Sequence, residues 1–547
     1  MTSAPVSATG VVHGEILTRP WVAAMMLDLA SYTPDRDLSA LTVVEPAAGP
    51  GAFVVQIVDR LIESADRRGV PLTIEAVGDA VRAFDIQPAN VAGLRRLVAQ
   101  RLTDAGSPVP ELLAAQWVRL GDYLLADHMP ADLVMGNPPY VRYDDLSPAT
   151  REAYRRRWKT MAGRGDIFVG FFEAGLTQLK PQGQHVFICA DRWMRNDYGK
   201  QLRNLITTGG FSIDAILSCH DVDVFEQQVS AYPAITVVRR GAQGPVVVAN
   251  AEATFGPTEA PGLVDAARSL AHLRTDSFVV GAVHEWPFQG KAGWPAGDPA
   301  LLEWLDRLAG LPTIEESGAR IGIGIATGCD SAYIVRPGQM PPPIEGDRLL
   351  PLAHADDIRG GRWDPQGFQL VNPWTPDGPV NISRYPRMRD YLLAHQVVQE
   401  RNVAKRHPDS WWRTIDRVHY RLLDRSLILL QDMKANVTPV VAPPGFYPHH
   451  NLYWIDVAGS GWQPETLAGV LMSEQVQLQV AARCVLMRGG TLRMQAQYLR
   501  QVHIPKPADF TDSEHDRLAD AYRAGDRQAA TRTVGHLLGQ PSTQPGE

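Results

Sequence analysis

From about residue 40 the chain alternates short runs of β-branched and apolar residues with longer stretches whose apolar positions recur every three or four residues. LTVVE (41–45), VRAFDI (81–86), ADLVMG (131–136), HVFICA (185–190), FSIDAILSC (211–219) and AITVVRR (234–240) read as strands. AFVVQIVDRLIES (52–64) and NVAGLRRLVAQRL (90–102) read as helices, the second with Val91, Leu94, Leu97, Val98 and Leu102 on one face. A helix with one apolar face must bury it against another layer. The alternation therefore predicts an α/β fold, a parallel or mixed sheet with helices on both faces.

The regular pattern stops near residue 240. GAQGPVVVANAEATFGPTEAPG (241–262) and the proline-rich PGQMPPPIEG (337–346) read as linkers or loops, and the chain beyond them is irregular and rich in Trp, Pro and Arg. The expected division is a flexible tail at 1–13, an α/β domain at 14–240, a connecting segment at 241–310, a second domain at 311–510, and a C-terminal helix with a frayed end at 511–547. Neither an internal repeat nor a low-complexity tract interrupts it.

Composition narrows the class. With 547 residues, 45% hydrophobic and 21% charged, the chain has material for large buried cores, which excludes a disordered or fibrous protein. Its net charge of −7 excludes a uniformly basic nucleic-acid coat but permits a basic cleft. The four cysteines form no CxxC pair, so reduced thiols are expected, with no zinc ribbon and no metal. No signal peptide or membrane span is evident, so a soluble, cytoplasmic protein is expected.

Candidate chemistry sits at the strand ends. VVEPAAGPGAF (43–53) passes from a strand through Glu45 and a turn of Pro46, Ala47, Gly49 and Gly51 into a helix. Glycines let backbone approach a ligand closely, and an acid at a strand end can accept hydrogen bonds from a cation. Such a turn serves a nicotinamide dinucleotide, a flavin or S-adenosylmethionine, or closes a strand–helix turn without a ligand. Val54 at the third glycine position disfavours the nicotinamide. Asp85 ends the next strand, where a carboxylate can hold both hydroxyls of a ribose or start a helix. Gly121-Asp122 falls where a third strand should end and could bond an adenine amino group.

The deciding motif is Asn137-Pro138-Pro139-Tyr140, after the apolar strand ADLVMG. A chain of this composition should contain that tetrapeptide by chance only about 0.002 times. The prolines stiffen the backbone and remove two donors. What remains is acceptor-rich: the Asn137 side-chain oxygen and the Pro138 carbonyl can each take one N–H of an exocyclic amine, freeing its lone pair. Tyr140 offers a ring to stack on a base. This chemistry calls for no metal and no covalent nucleophile.

With those residues placed, the chain resembles the TaqI-like adenine-N6 DNA methyltransferases of γ motif order, over roughly residues 14–508. The resemblance implies a Rossmann-like class I methyltransferase sheet followed by an α+β target-recognition domain, with S-adenosyl-L-methionine as cofactor. GEILTRPWVAAMML (14–27) is similar to the family's N-terminal cofactor segment, with Thr18 as the contact and Arg19 inserted before Pro20. Glu45, Pro46, Ala47, Gly49 and Gly51 match the methionine contacts, Asp85 the ribose contact and Asp122 the adenine contact, with Ile86 and Tyr123 as further cofactor contacts beside them. Asn137 is shared with the catalytic set. Asp166 and Phe168 are implied to pack near the cofactor, and Phe225 to sandwich the target base against Tyr140.

IGIGIATGCDSAYIV (321–335), LLPLAHADDIRGGRW (349–363) and RGGTLRMQAQYLRQVHIPKP (488–507) look like the family's DNA-reading half. Basic residues at 151–164, eleven Lys or Arg across 384–434 (Arg401 among them), and Arg483, Arg488, Arg493 and Arg500 would line a phosphate-binding cleft if they converge. Trp411-Trp412 and His449-His450 read as core packing and loop placement. The implied partner is double-stranded DNA, with a separately encoded restriction or defence subunit and a monomeric chain. Cytosine N4, an RNA base or a protein glutamine remain as alternative substrates, and a catalytically silent DNA-binding subunit as an alternative class.

Overall fold

The computed structural model describes residues 14–227, 232–290, 292–487 and 491–541. The tail expected at 1–13 and the end of the frayed C-terminus lie outside them. Two compact units divide the chain between Glu303 and Trp304.

The first unit is built on a ten-stranded sheet. Its strands are β1 (Val43–Glu45), β2 (Val81–Asp85), β3 (Val118–Leu120), β4 (Ala131–Gly136), β5 (Leu179–Ala190), β6 (Phe211–Ser218), β7 (Pro233–Arg240), β8 (Val246–Ala251), β9 (Leu273–Arg274) and β10 (Phe278–Val283). They lie in the order β3-β2-β1-β4-β5-β7-β6-β8-β10-β9. β1 to β5 pair in parallel, and β7 runs antiparallel between β5 and β6. The strand order reverses at β1, placing the carboxyl ends of β1 and β4 side by side, where open α/β sheets take their ligands. This is the class I methyltransferase sheet. β1 and β2 are buried along their whole length, as strands covered on both faces must be.

The helix Val54–Arg68 buries Val54, Ile57, Val58, Leu61 and Ala65. The helix Pro88–Asp104, with proline in its first turn, buries Val91, Leu94, Val98 and Leu102. Leu97, expected on the same face, is exposed instead. It sits one residue, about 100°, away from Val98 on that stripe.

One boundary is corrected. The connecting segment expected at 241–310 carries the last three strands of the sheet: β8 pairs with β6 in parallel, β10 pairs antiparallel with β8 and with β9, and the helix Ala260–Ser269 lies between β8 and β9 in sequence. The glycines and prolines around valines 246–248 disguise them as a loop.

The second unit is α+β. Arg320–Ile323, Leu452–Asp456, Leu427–Gln431 and Val440–Ala442 form one antiparallel sheet in that order. A second sheet runs Ile334–Val335, Gln369–Val371, Leu349–Ala353, Tyr447–Pro448. Trp411 and Trp412 pack against its hydrophobic core, as expected. The C-terminal region folds as two helices, Asp512–Ala524 and Arg527–Leu538, rather than one.

Candidate active site

The turn after β1 is held by the strand beside it. Gly49 N donates to Asp85 Oδ2 at 2.8 Å, Gln87 N donates to Asp85 Oδ1 at 2.7 Å, and Ala48 N donates to Phe84 O at 2.8 Å. Asp122 is held likewise: Leu124 N donates to Oδ1 at 2.9 Å, and the Tyr154 hydroxyl to Oδ2 at 2.7 Å. Between these strand ends lies a cavity of 610 Å³, a volume suited to a nucleoside-sized ligand. Thr18, Glu45, Pro46, Ala47, Gly49, Asp85, Ile86, Asp122, Tyr123 and Asn137 all line it; of the expected cofactor residues only Gly51 does not.

Glu45 is the most telling of these. It is 2% exposed, and its Oε2 has no hydrogen-bond partner among the described residues. Burial, reinforced by the charge of Asp85, holds its carboxyl well above the usual carboxylate range. A buried carboxyl with an oxygen left without a partner on a cavity wall is costly to ionise until a cation meets it. Ile86, more than half exposed, offers the same cavity an apolar surface.

The Asn137-Pro138-Pro139-Tyr140 loop leaves β4 beside this cavity. The Asn137 side-chain nitrogen donates to Ile16 O at 2.9 Å and to Thr18 Oγ1 at 3.1 Å. Both amide hydrogens are thereby engaged, which fixes the amide's orientation, while Oδ1 is buried without a partner among the described residues. Asn137 and Pro139 line the cavity; Pro138 and Tyr140 do not.

The segment from Gly14 to Arg19 acts as a splint for the loop. Tyr140 N donates to Gly14 O at 3.1 Å, Glu226 N to Leu17 O at 2.9 Å and Arg19 N to Val224 O at 3.0 Å. Gly14 has φ +60°, and a Cβ there would lie 2.7 Å from the Tyr140 carbonyl oxygen, so only glycine fits. Across the loop, Ile167 N donates to Val141 O at 3.0 Å, and Arg142 bridges with Asp166. Phe168 meets Tyr140 edge-on at 6.3 Å.

Two expectations change. Phe225 does neighbour Tyr140, with ring centroids 6.3 Å apart, but the planes stand at 81° and Phe225 is 3% exposed. The two rings form an edge-to-face pair rather than parallel plates for a base. Among the basic residues, Arg401 is buried and bonded to four backbone carbonyls, of Val398, Thr327, Trp411 and Arg413, and to the Tyr333 hydroxyl. Arg483 is buried too, its guanidinium pulled down to about 10 by desolvation. Both are internal braces, not phosphate ligands. Arg151 and Arg155 lie over the Tyr143 ring, and Arg164 pairs with Asp144. Arg488 and the side chain of Arg493 lie outside the described residues.

Sequence reasoning missed Glu15 and Tyr154, which also line the cavity. Glu15 accepts from Gln87 Nε2 at 3.2 Å and Asn90 Nδ2 at 3.3 Å. The only signal for Glu15 was an acid just ahead of Thr18. Tyr154 was hidden inside a run read for its arginines.

Comparison with known proteins agrees with this geometry. Residues 111–225 match the family model described as Eco57I restriction-modification methylase. The type II methyltransferase M.XhoI of Xanthomonas vasicola is 36% identical over 544 residues, covering 96% of this chain and 97% of the relative. The chain belongs to the type II methyltransferases. M.PaeR7I of Pseudomonas aeruginosa, another type II methyltransferase, is 36% identical over 541 residues, with 96% of this chain and 92% of the relative covered. Among solved structures, the type IIL restriction-modification enzyme MmeI in complex with DNA matches with a TM-score of 0.58 at 12% identity, covering 96% of this chain and 74% of that one. That likeness concerns the fold.

The cofactor of this type II methyltransferase is S-adenosyl-L-methionine. The residues present fit it: a cavity of the right size, a buried acid with one oxygen left without a partner for the cationic end, and acceptors at the neighbouring strand ends. Among the described residues no helix is long and apolar enough to cross a membrane.

Proposed function

We propose that this methyltransferase modifies the exocyclic N6 of an adenine flipped out of double-stranded DNA, as the modification half of a restriction–modification system. The observation that carries the reading is the Asn137 amide, whose nitrogen is spent on Ile16 O and Thr18 Oγ1 and whose oxygen is left free at the cofactor cavity.

S-adenosylmethionine would supply a methyl group on a positively charged sulfur: the N–C bond to the amine forms as the S–C bond breaks, S-adenosylhomocysteine leaves, and the proton the amine then sheds passes to solvent. Glu45 would face its charged amino-acid end, Asp85 and Glu15 the ribose, and Ile86 and Asp122 the adenine ring. The acceptors of the loop do the rest. Asn137 Oδ1 and the Pro138 carbonyl each accept one N–H of the target amine, which draws its lone pair out of conjugation. Because the loop is rigid and splinted by Gly14–Arg19, the amine is held in one orientation, and proximity supplies much of the acceleration. Tyr140 gives the extruded base an aromatic face, and unstacking is the cost of exposing it. The second unit, α+β and carrying exposed arginines, would read the DNA sequence.

The test is methyl transfer from tritiated S-adenosylmethionine to plasmid DNA, followed by digestion to nucleosides. Label in N6-methyldeoxyadenosine is expected. Label in N4-methyldeoxycytidine, or in protein, overturns the assignment.

A further inference from the structure

The second unit brings together three side chains that methyl transfer does not use. Asp330 opens the short helix Asp330–Tyr333, and His449 and His450 form the turn before the strand Leu452–Asp456. The two segments are stitched through the backbone: Ile325 N donates to Pro448 O at 2.8 Å, and His450 N donates to Ile325 O at 3.1 Å. Gly324 makes room for this, since a Cβ there would fall 2.1 Å from the His449 carbonyl oxygen.

The side-chain donors converge. His449 Nε2 lies 3.4 Å from Asp330 Oδ2 and 2.9 Å from His450 Nδ1, and the three atoms fall within 4.8 Å of one another. Thr327 Oγ1 donates to Asp330 Oδ1, leaving Oδ2 to face His449. His449 is 3% exposed, whereas Asp330 and His450 face solvent, so the cluster is anchored on one side and open on the other. His354 lies nearby, but its Nδ1 accepts from Asp356 N and its Nε2 meets Asn451 Nδ2, so it is not a fourth donor.

We propose that Asp330, His449 and His450 bind one divalent transition-metal ion of the zinc class. Donors at zinc's bond lengths in a tetrahedral shell stand about 3.4 Å apart. The Asp330–His449 edge already has that length, and the His449–His450 edge needs to open by about half an ångström, exchanging a shared hydrogen bond for two metal bonds. Two imidazoles and one carboxylate suit zinc, cobalt or nickel and are too rich in nitrogen for magnesium or calcium. The fourth position is left to water. The ion would clip the loop at 324–330 to the turn at 449–450, and so stiffen the second unit.

The experiment uses the full chain, purified without a histidine tag, stripped with chelator and titrated with zinc chloride against a chromophoric competitor. One equivalent of zinc bound, with a rise in Tm, is expected; cobalt in its place should give the visible bands of a tetrahedral site. Asp330→Asn and His450→Gln change exposed side chains, so both should fold normally by circular dichroism and each lose at least tenfold in zinc affinity. Failure of the wild-type chain to bind zinc overturns the proposal. So does equal binding by wild type and the Asp330→Asn/His450→Gln double variant. Neither result depends on which base is methylated.

Discussion

Thr18 Oγ1 accepts a hydrogen bond at 3.1 Å from the side-chain nitrogen of Asn137, 119 positions further along the chain. With Ile16 O it uses up both amide hydrogens, and so decides that the oxygen end of the amide is the one left without a partner. Arg19, inserted between Thr18 and Pro20, does not break this link, because its own backbone N–H is taken by Val224 O and the helix still begins at Pro20. Thr18→Val should therefore lower kcat for methyl transfer roughly five- to tenfold, the worth of one hydrogen bond. Thr18→Ser should restore it. Asn137→Ala, which removes the acceptor itself, should cost at least about 100-fold in the same tritium assay.

Glu45 should release a proton when the cofactor binds. Its folded-state carboxyl is raised by burial and by Asp85, so the ligand-free protein loses stability as pH rises above the unfolded value of 4.5. A cation in the cavity favours the ionised form. Calorimetry in two buffers of different ionisation enthalpy should show that proton for wild type and none for Glu45→Gln. The variant should bind the cofactor about 10- to 100-fold more weakly while being no less heat-stable at pH 7.

His185 makes the first unit acid-sensitive. It is fully buried between Phe172 and Phe187 with neither ring nitrogen bonded to a partner among the described residues, and desolvation drops its imidazole from 6.5 to about 3. The unfolded chain takes up a proton that the folded chain refuses, so stability falls as pH drops from 6.5 toward 3. Denaturant melts across that range should show a shallower fall for His185→Phe than for wild type.

Gly14→Ala tests the splint. The added methyl has nowhere to go against the Tyr140 carbonyl, and φ +60° is strained for alanine. Methyl transfer should drop about 100-fold, since a displacement of about 1 Å at the reacting centre suffices for that. Tm should change little, because the strain relaxes by moving the loop rather than by unfolding the sheet.

Much of the sheet could be read from the chain because buried parallel strands are short apolar runs, rich in valine and leucine, between turn residues, as in β1 and β4. The cavity-lining acids were legible for a related reason: Glu45, Asp85 and Asp122 sit at the carboxyl ends of consecutive strands, and sequence spacing alone puts them there. What sequence could not supply was orientation. Phe225 neighbours Tyr140, but nothing in VDVFEQQ says that their planes stand at 81° rather than in parallel. Arg401 and Arg483 look like any other surface arginine until the carbonyls around them are seen. Glu15 escaped notice because its partners, Gln87 and Asn90, come from a different strand–helix junction.

The pairing of β8 with β6 bears on how this enzyme can be dissected. A fragment trimmed after Arg240, where the sequence pattern changes, would leave β6 as a raw margin of unpaired N–H and C=O groups, an invitation to stick to its neighbours in solution. Anyone wishing to express the catalytic half alone should keep the chain through Val283 at least, so that the sheet ends on the short two-residue strand that finishes it in the intact molecule.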